Sequence, residues 1–282
     1  MTVRKGSALK IAILGGGNIG SAIARGLVQA GKAKPGEVVV TRRQAHLLKE
    51  LAAEGFSVQD DNRGAVRAAS VVILAVQPSQ IVDLLKEIRT EVVPRKHLVI
   101  SIVSGVRVSD LVAHLARGVD VVRAMPNTAI AIRESMTCLA GDTASSDALK
   151  RAREIFDTVG KTLVIEEDLM VPATALCACG IAFFLRSVRA ASQGGIEIGF
   201  HSEDALFLAA QTAKGAASLL LTADHHPESE IDKVTTPRGC TIAGLNEMEH
   251  QGFSSALIKG IVTSADKAGR LFQRTPAGKR GD

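Results

Sequence analysis

Six residues near the start of the chain, Gly15-Gly16-Gly17-Asn18-Ile19-Gly20, limit what it can fold into more than any others. They follow a short apolar run from Leu9 to Leu14 (LKIAIL), which reads as a buried strand. They open a segment from Asn18 to Ala30 with apolar residues at helical spacing, and Gly31 is its natural stop. Gly15, Gly17 and Gly20 fit the spacing G-x-G-x-x-G. That spacing is weak evidence alone, but it is specific between a strand and a helix. Gly15 permits the tight turn, Gly17 lets the backbone approach a pyrophosphate, and Gly20 lets the helix pack against the strand. The helix N-terminus then offers free N–H groups and a positive dipole end to phosphates.

The rest of the first half repeats the strand–helix alternation. Val38–Val40, Ser70–Val76, His97–Ile102 and Val119–Val122 read as strands. Gln44–Glu54, stopped by Gly55, and Ser109–Leu115 read as helices. Weaker strands are expected at Met136–Ala140 and Thr162–Ile165, around a helix at Asp147–Val159. Such alternation implies parallel βαβ units. After Ile165 the pattern becomes helical and unusually apolar: Ala173–Gly199, Glu203–Thr222, Thr241–His250 and Ser254–Phe272. Helices this apolar bury both faces, which predicts packing against a second subunit. The expected fold is therefore α/β: an N-terminal Rossmann-type doubly wound sheet over residues 1–165, then an all-α dimerisation domain over residues 166–282. Residues 274–282 are polar and expected to fray.

A dinucleotide site for NAD would carry Asp or Glu at the end of the second strand, to hold the ribose 2′-hydroxyl. This strand ends Val40-Thr41-Arg42-Arg43. Arginines attract a 2′-phosphate that a carboxylate would repel. Thr41, Arg42 and Arg43 therefore point to NADP(H), with NAD(H) as a second cofactor. The strand ending at Ala75-Val76-Gln77-Pro78 should open onto the same cleft. Arg123-Ala124-Met125-Pro126-Asn127-Thr128 closes another strand, and Asn127 either faces the nicotinamide or belongs to an ordinary Pro-Asn turn.

Composition excludes some functions. A net charge of +5 over 282 residues is too mild to argue for nucleic acid. With no Trp and no Tyr, the chain lacks those stacking platforms, and a Tyr-Lys dehydrogenase scheme is impossible. Cys138, Cys177, Cys179 and Cys240 form no C-x-x-C pair and have no His at zinc spacing, so no metal is expected. They read as reduced thiols. His225-His226 reads as an exposed helix end. Met1 to Lys5 leads into a strand without a signal-peptide core, and no apolar run of the roughly 20 residues that span a bilayer is apparent. A cytoplasmic protein without membrane contact is expected.

Lys233–Leu245 (KVTTPRGCTIAGL) is a Thr/Pro/Gly turn running into a helix. Thr241 or a neighbour would cap that helix, and its N-terminus could instead hold a carboxylate. Together with IAILGGGNIGSAIARGL, Asn62 ahead of VVILAVQP, VVRAMPNTA and the EEDL at 166–169, this loop resembles the pyrroline-5-carboxylate reductase family from Lys10 to about Arg270. The resemblance implies NAD(P)H-dependent reduction of the cyclic imine 1-pyrroline-5-carboxylate to L-proline, by an intertwined homodimer that can assemble into rings. It implies cofactor contacts at Asn62, Ala75, Val76, Gln77 and Pro78, beside Gly15, Gly17, Asn18, Ile19 and Gly20 of the turn. It places the substrate along Val234, Thr235, Thr236, Gly239, Cys240 and Thr241, with its carboxylate on loop N–H groups and the Thr241 hydroxyl near the ring nitrogen. Thr241 is the expected catalytic residue. Two departures are visible: Pro237-Arg238-Gly239 stands where the family has Pro-Gly-Gly, and Ala178 to Phe183 lacks the family's Pro and Tyr. Two alternatives stay open. One is a related imine or β-hydroxyacid reductase; the other is a non-catalytic NADP-binding regulatory protein. The helix from Ala178 to Gly199 has Arg186 and Arg189 but no Lys, which counts against the β-hydroxyacid reading.

Overall fold

The computed structural model describes residues 10–222 and 226–272. The readings of Met1 to Lys5, Leu9, His225 and residues 274–282 lie outside them. In chain order the strands are β1 (Ile11–Leu14), β2 (Val38–Thr41), β3 (Ser57–Gln59), β4 (Val71–Leu74), β5 (Leu98–Ser101), β6 (Asp120–Met125), β7 (Ser135–Ala140) and β8 (Gly160–Val164). The helices of the first half are α1 (Asn18–Gln29), α2 (Lys49–Ala53), α3 (Asn62–Ala68), α4 (Ile81–Ile88), α5 (Val108–Val112) and α6 (Ser146–Phe156). Those of the second half are α7 (Met170–Ala173), α8 (Gly180–Glu197), α9 (Ser202–Thr222), α10 (Pro227–Lys233), α11 (Cys240–His250) and α12 (Phe253–Phe272), with a π-helical turn at Thr174–Cys179 between α7 and α8.

The strands form one sheet in the order β3-β2-β1-β4-β5-β6-β7-β8. The β1 strand pairs in parallel with both β2 and β4, Ile13 facing Val40 on one side and Ile73 on the other. The chain thus reverses its direction of build-up at β1, and a cleft opens between the C-terminal ends of β1, β2 and β4. Successive side chains of a strand point to opposite faces. Ile11 and Ile13 accordingly pack on one layer with Ile23 and Leu27 of α1 and Phe156 of α6. Ala12 and Leu14 pack on the other with Val66 of α3 and Leu85 and Ile88 of α4.

Parallel pairing does not hold throughout. The β7 strand runs antiparallel to β6, and β8 then runs parallel to β7. Residues 126–134, which join β6 to β7, carry a 3₁₀ turn and are too few for a crossover helix. Helix α1 stops where Gly31 takes φ +68°, its N–H donating to Val28 and that of Lys32 to Leu27. The first half also holds two helices and a strand beyond those read from the sequence: α3, α4 and the three-residue edge strand β3.

Contacts divide the chain into two compact units, Met1–Ala178 with Lys267–Asp282, and Cys179–Asp266. The boundary expected at 165/166 falls inside the first unit. In the second unit α8 packs along α9, and large apolar side chains remain exposed, including Leu185 (63%), Phe207 (70%) and Leu221 (84%). Contrary to the sequence expectation, two helical stretches, 167–197 and 202–222, are long and apolar enough to cross a bilayer by length and composition, with mean hydropathies of 1.9 and 1.3.

Candidate active site

The glycine turn is fixed by the strand beside it. The N–H groups of Gly15 and Gly16 both donate to the Thr41 carbonyl, at 3.1 and 2.8 Å. Gly15 has φ +119°, and a Cβ on it would collide with the Ala75 carbonyl oxygen. Only glycine satisfies both demands. A Cβ on Gly20 would strike the Gly15 carbonyl, so the helix sits directly against the turn. Gly17 is the N-cap of α1 and faces open space, with no side-chain cap and no acidic residue in the first turn. The Asn18 and Ile19 amides that open the helix have no carbonyl one turn back to bond. A phosphate is the natural acceptor for them.

In front of this turn lies a cleft of roughly 450 Å³. Gly15, Gly17, Thr41, Arg42, Arg43, Asn62, Ala75, Val76 and Gln77 all line it. Asn18 lines an adjoining cleft that shares Gly16, Gly17 and Arg42. Ile19 and Gly20 belong to the first turn of α1 and do not line either cleft, and Pro78 begins the 3₁₀ turn leading into α4. Thr41 is buried and its Oγ1 donates to Asn62 Oδ1 at 2.6 Å, while Asn62 Nδ2 donates to Glu87 Oε2 at 3.1 Å. Arg42 Nη1 reaches the Gly16 carbonyl at 3.3 Å. Arg43 is exposed and makes no ion pair among the described residues. The cleft is thus cationic along the end of β2 and anionic along α4, where Asp83 and Glu87 stand one turn apart. Those two carboxylates escaped the sequence reading because α4 was not recognised as a helix. Its signal was there: Ile81, Leu84, Leu85 and Ile88 are spaced for one buried face.

Asn127 is held by the protein on every side. Its N–H donates to Ser135 Oγ at 3.1 Å, its Oδ1 accepts from the Ala129 N–H at 3.1 Å, and its Nδ2 donates to the Cys177 carbonyl at 3.3 Å. It caps the 3₁₀ turn Thr128–Ile132 and ties it to the π-helical turn. Nearby, Arg123 forms a buried ion pair with Glu167 at 2.8 Å, and the same carboxylate oxygen accepts from the Val108 N–H at 2.7 Å. This joins β6, α5 and the turn after β8. A single Arg in one strand and an acidic run after another did not reveal the pair, because 43 residues separate them in sequence before the fold joins them.

In the second unit, α10 ends at Lys233 and the chain turns sharply. The Thr235 hydroxyl donates to the Ile231 carbonyl at 2.8 Å, and the Gly239 N–H closes a turn onto the Thr236 carbonyl at 2.9 Å. Val234 is exposed, and so is Arg238, which takes the left-handed conformation at φ +60°. The expectation that Thr241 or a neighbouring side chain caps α11 is corrected here. The N-cap is Gly239, with no side-chain bond and no acidic residue in the first turn. Thr241 is the second residue of the helix, half-buried, and its hydroxyl makes no hydrogen bond among the described residues. The Cys240 and Thr241 amides are left free for an anion. Among the described residues no three His, Cys, Asp or Glu side chains cluster as for a metal, and His226 caps α10 through Nδ1.

A glycine-turn cleft at the switch point of a doubly wound sheet, in a region that matches an NADP oxidoreductase family model, defines the class: a nicotinamide-dependent oxidoreductase. Residues 10–105 match the family model described as NADP oxidoreductase, coenzyme F420-dependent, and residues 167–271 match pyrroline-5-carboxylate reductase dimerisation. The chain is 49% identical over 276 residues to pyrroline-5-carboxylate reductase 2 of Dictyostelium discoideum, covering 92% of each chain. It is 53% identical over 281 residues to pyrroline-5-carboxylate reductase 1 of the same organism, covering 95% of itself and 51% of that protein, so it spans about half that relative's length. Among solved structures, a pyrroline-5-carboxylate reductase from Coxiella burnetii superposes with a TM-score of 0.89 at 29% identity, over 95% of this chain and 100% of that one. The chain belongs to the pyrroline-5-carboxylate reductase family.

Proposed function

We propose that the chain reduces 1-pyrroline-5-carboxylate to L-proline with NADPH, the last step of proline biosynthesis, with NADH as a weaker donor. The observation that carries the reading is the uncapped start of α11 beside Thr241, inside the region that matches the family's dimerisation model. A free helix N-terminus suits a substrate carboxylate, and a half-buried unengaged hydroxyl suits a ring nitrogen.

Bound NADPH supplies the hydride. The fit of the cofactor rests on the Gly15 cradle, which any Cβ would fill, and on the cationic edge at Arg42 and Arg43. Gly15, Gly17, Asn18, Ile19 and Gly20 bring the pyrophosphate onto the start of α1. Arg42 and Arg43 hold the 2′-phosphate, and Thr41, whose own hydroxyl is committed, acts by fixing Asn62. Ala75, Val76, Gln77 and Pro78 form the wall on the β4 side. Asn127 acts by position, holding the end of β6 to the π-helical turn. Val234, Thr235, Thr236, Gly239, Cys240 and Thr241 form the substrate loop. A threonine hydroxyl is too weak an acid to protonate the nascent amine. Thr241 therefore orients the imine, and the proton comes from solvent or is already on the substrate as the iminium.

In this account residues 1–165 bind cofactor, and residues 166–282 bind substrate and form the homodimer, which can build into a ring. The apolar α8 and α9 serve that subunit contact rather than a membrane, and the enzyme works in the cytoplasm. The test is kinetic. Thr241→Val is expected to lower kcat/KM for pyrroline-5-carboxylate by about ten- to a hundredfold, the worth of one orienting hydrogen bond at about 1.4–2.8 kcal/mol. Thr241→Ser is expected to retain most of it. Full activity in the valine variant would contradict the role.

A further inference from the structure

Two cysteines meet inside the first unit. Cys138 is a buried residue of β7, and Cys177 is half-buried in the π-helical turn Thr174–Cys179. Both are free thiols, with their Sγ atoms 4.0 Å apart. A disulfide brings sulfurs to about 2.05 Å, so closure needs a local shift of about 2 Å. The π-helical turn is a place in the backbone able to supply one, since its wider ring is an irregularity within otherwise regular helix.

Two further contacts tie the same turn to the sheet. Thr174 Oγ1 lies 2.8 Å from both the Met170 carbonyl and Met125 Sδ, and Met125 stands opposite Cys138 in the β6–β7 pairing. The Cys177 carbonyl accepts from Asn127 Nδ2 at 3.3 Å. The two thiols are chemically unequal. A hydrogen bond between the two sulfurs, in which either can be the donor, lowers the Cys177 thiol from the usual range to about 7. The same bond, with burial, pushes the Cys138 thiol up. Cys177 is the more acidic and the more exposed of the two, which suits it to attack.

We propose that Cys138 and Cys177 are an oxidant-responsive dithiol, which hydroperoxides close to a disulfide, drawing the π-helical turn off Asn127 and slowing the reductase. The Cys177 thiolate attacks one peroxide oxygen and the O–O bond breaks. Cys177 becomes a sulfenic acid, and the departing hydroxide or alkoxide takes a proton from water. The Cys138 sulfur then attacks the Cys177 sulfur. The S–O bond breaks, and the leaving hydroxide carries off the Cys138 proton as water. Two thiols lose two electrons and one peroxide gains them; an external dithiol reverses the change. Disulfides in a reducing compartment are of this transient, sensing kind. The slowing rests on the cofactor-site reading given above, whereas the cross-link does not.

The test treats the full-length enzyme with one equivalent of hydrogen peroxide, then maps thiols by mass spectrometry and measures NADPH turnover. The expected result is loss of two hydrogens, a Cys138 peptide joined to a Cys177 peptide, and turnover reduced at least about tenfold by displacement of a positioning group. Dithiothreitol should restore both. Cys138→Ser should stop at a Cys177 sulfenic acid that dimedone captures, and Cys179→Ser should still form the bridge. Free thiols after peroxide, a bridge to Cys179 or Cys240, or a bridge with unchanged turnover would each overturn the proposal. If the reduced enzyme turns over nothing, the functional reading fails while the thiol map still decides the cross-link.

Discussion

At the scale of single residues, the proposed function gives two arginines the choice of cofactor. Arg42 lies against the glycine turn through the Gly16 carbonyl, and Arg43 is exposed without an ion pair among the described residues. In that proposal each donates to the 2′-phosphate, and a charge-assisted bond of this kind is worth about 1.5–3 kcal/mol. Replacing either with alanine is expected to raise KM for NADPH about ten- to a hundredfold and leave KM for NADH nearly unchanged. Equal losses with both cofactors would place the arginines elsewhere. Their place at the cleft was legible in the sequence, because the C-terminal end of β2 opens onto the switch point of such a sheet. The environment of Thr41 was not. Its neighbours Asn62 and Glu87 come from α3 and α4, and only the folded chain puts them beside it.

Between elements, the joints were harder to read than the elements themselves. Strand β1 and helix α1 stand out because apolar period and glycine stop agree. The reversal at β7 does not, since strand direction depends on how much chain lies between β6 and β7. The cap of α11 was misread for a similar reason: a threonine beside a glycine resembles a cap, yet the backbone places Gly239 there. His97 shows what such a joint contributes. Its Nδ1 accepts from the Val93 N–H at 2.8 Å and its Nε2 faces the Val66 carbonyl at 3.2 Å, linking β5 to α3 through the neutral Nε2–H form. Burial, helped by Lys96, holds its pKa below the ordinary value of 6.5. A folded value below the unfolded one means the unfolded chain binds the proton more readily. The contribution of His97 is therefore whole above about 6.5 and is lost as the pH falls from there through the folded value. Melting temperature should drop over that acid range, and His97→Gln should flatten the drop. An identical pH profile in the variant would assign the loss to other groups.

For the whole molecule, the second unit is the half that does not close on itself. Leu185, Phe207 and Leu221 stay largely exposed on α8 and α9. The same helices satisfy the length and composition of bilayer spans, and the family's dimerisation region covers both. Light scattering on the purified chain should give at least twice 29.6 kDa. Phe207→Glu should shift the mass toward a monomer, because a buried charge without a partner opposes association. A wild-type mass of 29.6 kDa would contradict the dimer. That this half would need a partner was evident from its unbroken apolar helices.

The most direct measurement is turnover. The purified chain is mixed with pyrroline-5-carboxylate and NADPH, and loss of NADPH absorbance is followed alongside proline formation, then repeated with NADH. The account predicts one proline for each NADPH consumed and a higher kcat/KM with NADPH than with NADH. NADPH binding without consumption, or consumption without proline, would contradict it.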